Sequence, residues 1–230
     1  MKVKEQSCAL PIENLDFNIK HIDSKHGQLL PNDIRAIICG PSGSGKTNVI
    51  LSLLISPNGL KFQNIYVYSK SLYQQKYKFL EEVIRRVPEI KLFTFEESDE
   101  IQDPNIALPN SIFIFDDVSC DKQEKIRAFF CMGRHKQIDC FYLIQTYSRV
   151  PKQLIRDNCS MLVLFKQDDL NLHHVYNDHV TTDMDFKKFK EICSHCWHDK
   201  CGFSVIAKDC DLNKGRYRLG FDKYINISVN

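Results

Sequence analysis

The sequence predicts an α/β fold in which a central, mostly parallel sheet is covered by helices on both faces. Short, almost wholly apolar runs recur along the chain and alternate with segments of helical period. Three of the nine glycines (Gly40, Gly43 and Gly45) fall between the first such run and the first helical segment. Strands buried on both faces read as continuous apolar runs, because crossover helices cover the sheet above and below. Clustered glycines mark a place where the backbone takes conformations that other residues avoid.

Taken in order, residues 33–40 (DIRAIICG) read as a buried strand, 46–56 as a helix and 64–69 (NIYVYS) as a second strand. Tyr73, Tyr77, Leu80, Ile84 and Val87 recur at helical spacing, so 72–87 is an amphipathic helix ended by Pro88. A strand at 90–95 (IKLFTF) leads into the acidic loop EESDEIQD, and 111–118 (SIFIFDDV) is a strand ending in two aspartates. A helix is expected over 121–134, a strand at 141–146 (FYLIQT), a short helix at 151–158 introduced by Pro151, and a strand at 161–165 (MLVLF). Helical patterns cover 170–179 and 184–196, and 203–207 (FSVIA) followed by RYRLGF forms a terminal hairpin. No repeat, linker or low-complexity tract divides the chain. A single domain over 1–230 is expected, with an N-terminal extension over 1–30 and C-terminal helices and hairpin over 167–230.

Composition excludes several function classes. With 43% hydrophobic residues and a net charge of +2 in 230 residues, the chain can bury a core and is not disordered. The apolar runs, such as 49–55 and 161–165, are too short to span a bilayer, and the start MKVKEQSCALPIENLD has no apolar signal segment, so neither a membrane span nor secretion is expected. The 10 cysteines then point to free thiols in a reducing compartment. The balance of 31 Lys+Arg against 29 Asp+Glu argues against a uniformly basic nucleic-acid coat protein, but leaves room for local basic patches.

Residues 40–47 read Gly40-Pro41-Ser42-Gly43-Ser44-Gly45-Lys46-Thr47, a full match to the P-loop pattern G-x-x-x-x-G-K-[ST] between a strand and a helix. The glycines let successive N–H groups turn inward as an anion nest, and the following helix directs its N-terminal dipole at the phosphates. In this chemistry Lys46 reaches the β- and γ-phosphates of ATP and the Thr47 hydroxyl holds Mg²⁺. An apolar strand delivering Asp116 and Asp117 fits the Walker B pattern, with Asp116 on the metal and Asp117 orienting the attacking water. The alternative for this acidic pair is a helix cap, which Asp121 could also supply. Gln145 closes an apolar strand at the carboxyl edge, where ligands of open α/β sheets bind, and can bond the γ-phosphate or the lytic water. An arginine from a neighbouring subunit would stabilise the charge that develops in hydrolysis, with Arg134 the first candidate and Arg156 and Arg149 next.

The order GPSGSGKT, IFIFDDV, GRHKQIDCFYLIQT and PKQLIRDN resembles the genome-packaging ATPases of large DNA viruses (poxvirus-type), Maverick/Polinton elements and virophages, a branch of the FtsK–HerA superfamily. The resemblance implies a P-loop NTPase of the additional-strand (ASCE, RecA-like) class. It assigns the family's P-loop lysine to Lys46, its Mg²⁺ hydroxyl to Thr47, its metal aspartate to Asp116, its sensor glutamine to Gln145 and its trans-acting arginine to Arg134. Asp117 stands where many members carry Glu, one methylene shorter in reach. The implied activity is ATP hydrolysis that moves double-stranded DNA into a capsid, by a pentameric or hexameric homo-oligomeric ring contacting a capsid or portal vertex protein. The implied location is the host-cell cytoplasm or nucleus, at the virus assembly site or in the virion.

Other signals carry less. Cys193, Cys196, His198 and Cys201 have some zinc-like spacing, but Cys193 and Cys196 also continue an apolar helical stripe. His173, His174 and His179 lack a convincing metal partner, and FKKFK (186–190), Arg85–Arg86 and the loop 119–125 are candidate DNA contacts that read equally as solvated surface. A nucleotide kinase would need an Arg-rich lid, and a GTPase would need N-K-x-D, where Asn213-Lys214 continues with Gly215-Arg216. A helicase or segregation translocase, and an ATP-binding scaffold with weak hydrolysis, remain the alternatives. In a ring that releases its track every cycle, positive charge is expected toward the channel and acidic stretches such as 96–100 elsewhere.

Overall fold

The computed structural model of the chain describes residues 24–97, 100–118 and 123–227, together with Lys4. The strands are β1 (Arg35–Cys39), β2 (Asn64–Ser69), β3 (Lys91–Phe95), β4 (Ser111–Asp116), β5 (Ile138–Ile144), β6 (Met161–Phe165), β7 (Phe203–Ala207), β8 (Tyr217–Leu219) and β9 (Lys223–Tyr224). The helices are α1 (Lys46–Ile55), α2 (Gln75–Ile84), α3 (Glu124–Met132), α4 (Asp169–His179) and α5 (Phe186–Cys196). The strands form one sheet in the order β3-β2-β4-β5-β1-β6-β7-β8-β9. Pairing is parallel from β3 to β6 and antiparallel beyond it, so the expected hairpin extends the same sheet.

Alternation along the strands builds two cores. Ile37, Cys39, Tyr66 and Phe113 face α3, α4 and α5, whereas Ala36, Ile38, Ile65, Val67 and Ile114 face α1 and α2. On the first face Tyr66 stacks between Phe93 and Phe113 at 4.5 and 4.3 Å, and Phe113 meets Phe129 of α3 at 4.2 Å. These rings tie the outer strands to the helix layer.

Several boundaries differ from the sequence expectation. The helix expected over 72–87 is confined to Gln75–Ile84, leaving a turn before Pro88. The short helix at 151–158 is a single π-helical turn, Lys152–Arg156. The helix expected over 121–134 begins at Glu124, passes into a 3₁₀ turn at Gly133–Lys136, and has its first two positions outside the described residues. β5 starts at Ile138 rather than 141, with an aspartate inside it. Asp139 is 1% exposed and fully engaged: it accepts hydrogen bonds from Ile34 N (2.7 Å), Lys25 Nζ (2.6 Å) and His26 Nε2 (3.0 Å). A buried carboxylate with that many donors no longer breaks a strand.

On the α4 face, Tyr147 donates to Asp178 (3.2 Å) and pairs with His179 Nε2 (2.7 Å), while Arg156 donates to Asp178 at 2.6 Å and lies 5.3 Å over the Tyr147 ring. Burial, reinforced by the Lys208 charge, pulls His179 down to about 4 from 6.5. The folded state therefore keeps His179 neutral where the unfolded chain protonates. Stability is full above pH 6.5 and falls as pH drops toward 4, by about 3 kcal/mol for this group. Urea midpoints from pH 7.5 to 4 should fall less steeply in His179→Gln than in the wild type; equal slopes would refute a neutral buried histidine.

Candidate nucleotide site

Register brings the functional segments to one edge. Cys39 pairs with Ile144, Asp116 with Leu143 and Ser69 with Asp116, so β1, β5, β4 and β2 end together at their carboxyl ends. β5 is inserted between β1, which leads into the P-loop, and β4, which carries the aspartates. This is the extra strand expected of the additional-strand class. A cleft of about 240 Å³ opens there, lined by Ser42, Gly43, Gly45, Lys46 and Thr47 of the loop, by Asp116, Asp117 and Gln145, and by Ser71, Gln74 and Lys76 from the β2–α2 connection. Gly40, Pro41 and Ser44 belong to the same loop but do not line the cleft.

Loop geometry explains the glycines. Gly43 and Gly45 have φ of +75° and +113°, in the left-handed region. At Gly40 a Cβ would stand 2.6 Å from the Cβ of Phe165, so only glycine lets the loop pass β6. Lys46 Nζ donates to the carbonyls of Gly40 (2.7 Å) and Pro41 (3.0 Å), its own loop serving as partner. Burial lowers its pKa, an effect that Asp116 opposes. Ser44 Oγ is buried with no partner among the described residues.

Asp116 is 9% exposed, and burial pushes its carboxyl above the usual range, against the Tyr77 hydrogen bond and the Lys46 charge. The Tyr77 hydroxyl, from α2, donates to Asp116 Oδ2. Asp117 is exposed with φ of 57°, a left-handed turn that redirects the chain at the sheet edge. Neither aspartate caps α3, whose N-cap is Gln123; Asp121 lies outside the described residues. Gln145 follows the last residue of β5, and its exposed amide makes no hydrogen bond among the described residues.

The arginine candidates separate. Arg134 sits in the turn Gly133–Lys136 before β5, with its side chain outside what the structure describes. Arg156 is engaged with Asp178 inside the subunit, and Arg149 is exposed in the turn Tyr147–Arg149 that follows Gln145. Tyr77 is a residue that pattern reading missed. It counted only as one position of an apolar stripe, and its signal was a hydroxyl on a stripe otherwise continued by Leu80 and Ile84.

At the carboxyl end of α5, Cys193 and Cys196 are 0% and 1% exposed against the sheet, whereas Cys201 and His198 face solvent. No group of three or more metal donors occurs among the described residues. Within 186–190, Phe189 turns into the core, His173 stacks on Phe186 at 3.6 Å, and Lys190 pairs with Asp169. Among the described residues, no helix is long and apolar enough to cross a membrane.

Comparison with known proteins bears on this site. The genome packaging NTPase B204 of Sulfolobus turreted icosahedral virus 2, solved with sulfate, superposes with a TM-score of 0.58 at 11% identity, covering 87% of this chain and 100% of that one. The same protein with AMP gives 0.52 at 10% identity over 78% of this chain and 95% of that one. B204, the DNA-packaging ATPase from Sulfolobus Turreted Icosahedral Virus, gives 0.52 at 14% identity over 78% and 94%. At these identities the likeness establishes the fold. Sequence comparison with curated proteins finds no match. The model of the family described as Poxvirus A32 protein matches residues 22–192, from ahead of β1 into α5 and across the whole cleft. The chain therefore belongs to the poxvirus A32 protein family, the poxvirus-type branch of the viral DNA-packaging ATPases.

Proposed function

We propose that this chain hydrolyses ATP with Mg²⁺ as a pentameric or hexameric ring and drives double-stranded viral DNA into a capsid, at the virus assembly site. The observation that carries this reading is the meeting of the P-loop, a buried Asp116 and the Gln145 amide in one cleft. The P-loop amides and Lys46 bind the phosphates, Lys46 exchanging the carbonyls of Gly40 and Pro41 for phosphate oxygens. Thr47 and Asp116 offer a hydroxyl and a carboxylate, hard oxygen donors that suit Mg²⁺ beside a triphosphate. The ion supplies neutralisation of the charge on the transferring phosphoryl group. Tyr77 orients Asp116, Asp117 orients the water, and Gln145 reports the γ-phosphate.

Arg134 serves a neighbouring subunit. It precedes β5, at the amino edge of the sheet, and the 7 residues of β5 separate it from Gln145 by roughly 23 Å. A head-to-tail ring places such an arginine at the next subunit's phosphates.

Phosphate release measured across a protein concentration series, with and without linear double-stranded DNA and alongside mass determination, tests the motor. Stimulation by DNA is expected only in the oligomeric fraction and only with Mg²⁺. Hydrolysis indifferent to both DNA and concentration would instead describe an ATP-binding scaffold.

A further inference from the structure

We propose that the nucleobase of the bound nucleotide lies in a second, apolar pocket beside the P-loop, walled by α1 and by the ends of β6, β7 and β8, and that this pocket distinguishes purines only weakly. The proposal rests on the phosphate site described above. The second pocket has a volume of about 250 Å³ and shares Gly45 with the phosphate cleft. It lies on the flank of β1 that faces β6, opposite the flank holding β5 and Asp116. A nucleotide with its γ-phosphate toward Asp116 and Gln145 and its phosphates on the α1 N-terminus therefore extends its sugar and base past Gly45 toward β6.

What waits there suits a flat aromatic ring. Phe165, Phe203 and Phe221 form one cluster, with centroids 5.3 Å apart for Phe165 and Phe203 and 5.7 Å apart for Phe203 and Phe221. Phe165 comes within 3.6 Å of the point where a Cβ on Gly45 would stand, so the cluster abuts the loop itself. Asn48 and Ser52, on the exposed face of α1, and the exposed Cys201 thiol supply the polar groups of the rim. Among the described residues, no carboxylate or cation lines the pocket. Guanine N1–H and N2–H₂ thus find no acidic partner, and selection between bases falls to shape and stacking. An apolar pocket discriminates by up to about 200-fold, against 10⁴ or more for one built on matched hydrogen bonds.

Competition binding in one Mg²⁺ buffer, with ATP, GTP and inorganic tripolyphosphate as probes, tests this on the full chain. ATP and GTP should differ by less than about 200-fold. Phe221→Ala should weaken ATP by about tenfold, the loss of one base stack, and leave tripolyphosphate unchanged. Ser52→Trp, at an exposed helical position, should obstruct the pocket with the same selective loss, without disturbing the core. ATP affinity unchanged in Ser52→Trp, an equal loss of ATP and tripolyphosphate in both variants, or 10⁴-fold base discrimination in the wild type would each overturn the pocket. Failure of wild-type protein to bind tripolyphosphate would instead remove the phosphate site, and the pocket's role with it.

Discussion

Lys46→Ala should abolish ATP turnover and leave the fold standing. The side chain contacts the carbonyls of its own loop, Gly40 and Pro41, and packs in neither apolar core. Its removal empties no packed space, so thermal stability should stay close to wild type. What it takes away is the one lysine of the loop that lines the cleft, the group proposed above to meet the phosphates. Loss of one such preorganised donor costs on the order of 10³-fold in rate. Phosphate release by the purified variant, beside a melting curve, separates the two effects. Wild-type turnover in a clean preparation of Lys46→Ala would sink the assignment of the site.

Asp139→Ala should have the largest effect on stability. Its carboxylate, 1% exposed at the amino end of β5, gathers Lys25, His26 and the Ile34 N–H, and so holds the segment ahead of β1 to the sheet. His26 in turn accepts from Lys61 N at 3.0 Å, linking the segment that enters β2. Removing one partner of a buried ionic cluster strands the others, at a cost of about 3–5 kcal/mol. For a domain of this size the melting temperature should fall by about 10 °C. Asp139→Asn, which keeps an acceptor for Ile34 N, should lose less. A shift in the urea midpoint of Asp139→Ala worth under about 0.5 kcal/mol would show that the cluster holds nothing in place.

Much of the fold was legible because its rules are local. Fully buried strands must be apolar throughout, so 64–69, 161–165 and 203–207 emerge with their observed bounds. The phosphate loop was legible for a stronger reason. Left-handed φ at Gly43 and Gly45 favours glycine and the close pass of Gly40 by Phe165 requires it, so the loop is written in residue types at fixed spacing. Asp116 and Gln145 followed from their places at the ends of apolar strands.

Other features were illegible because they depend on partners far away in sequence. Asp139 fell outside the strand expected at 141–146, because nothing nearby in sequence shows Lys25 and His26 against it. Arg156 was a candidate for a neighbour's site until Asp178 was seen to hold it. Tyr77 is indistinguishable from a core tyrosine until α2 sets its hydroxyl on Asp116.

The sequence by itself determined the class of fold and marked the candidate phosphate loop, since backbone conformation and strand burial constrain residues one neighbourhood at a time. Tertiary structure decided which strand separates β1 from β4, what orients Asp116, and the aromatic pocket that Phe165, Phe203 and Phe221 build beside Gly45. Those contacts join positions separated by long stretches of chain. Only the crossover connections and sheet order, which no local pattern encodes, bring them together.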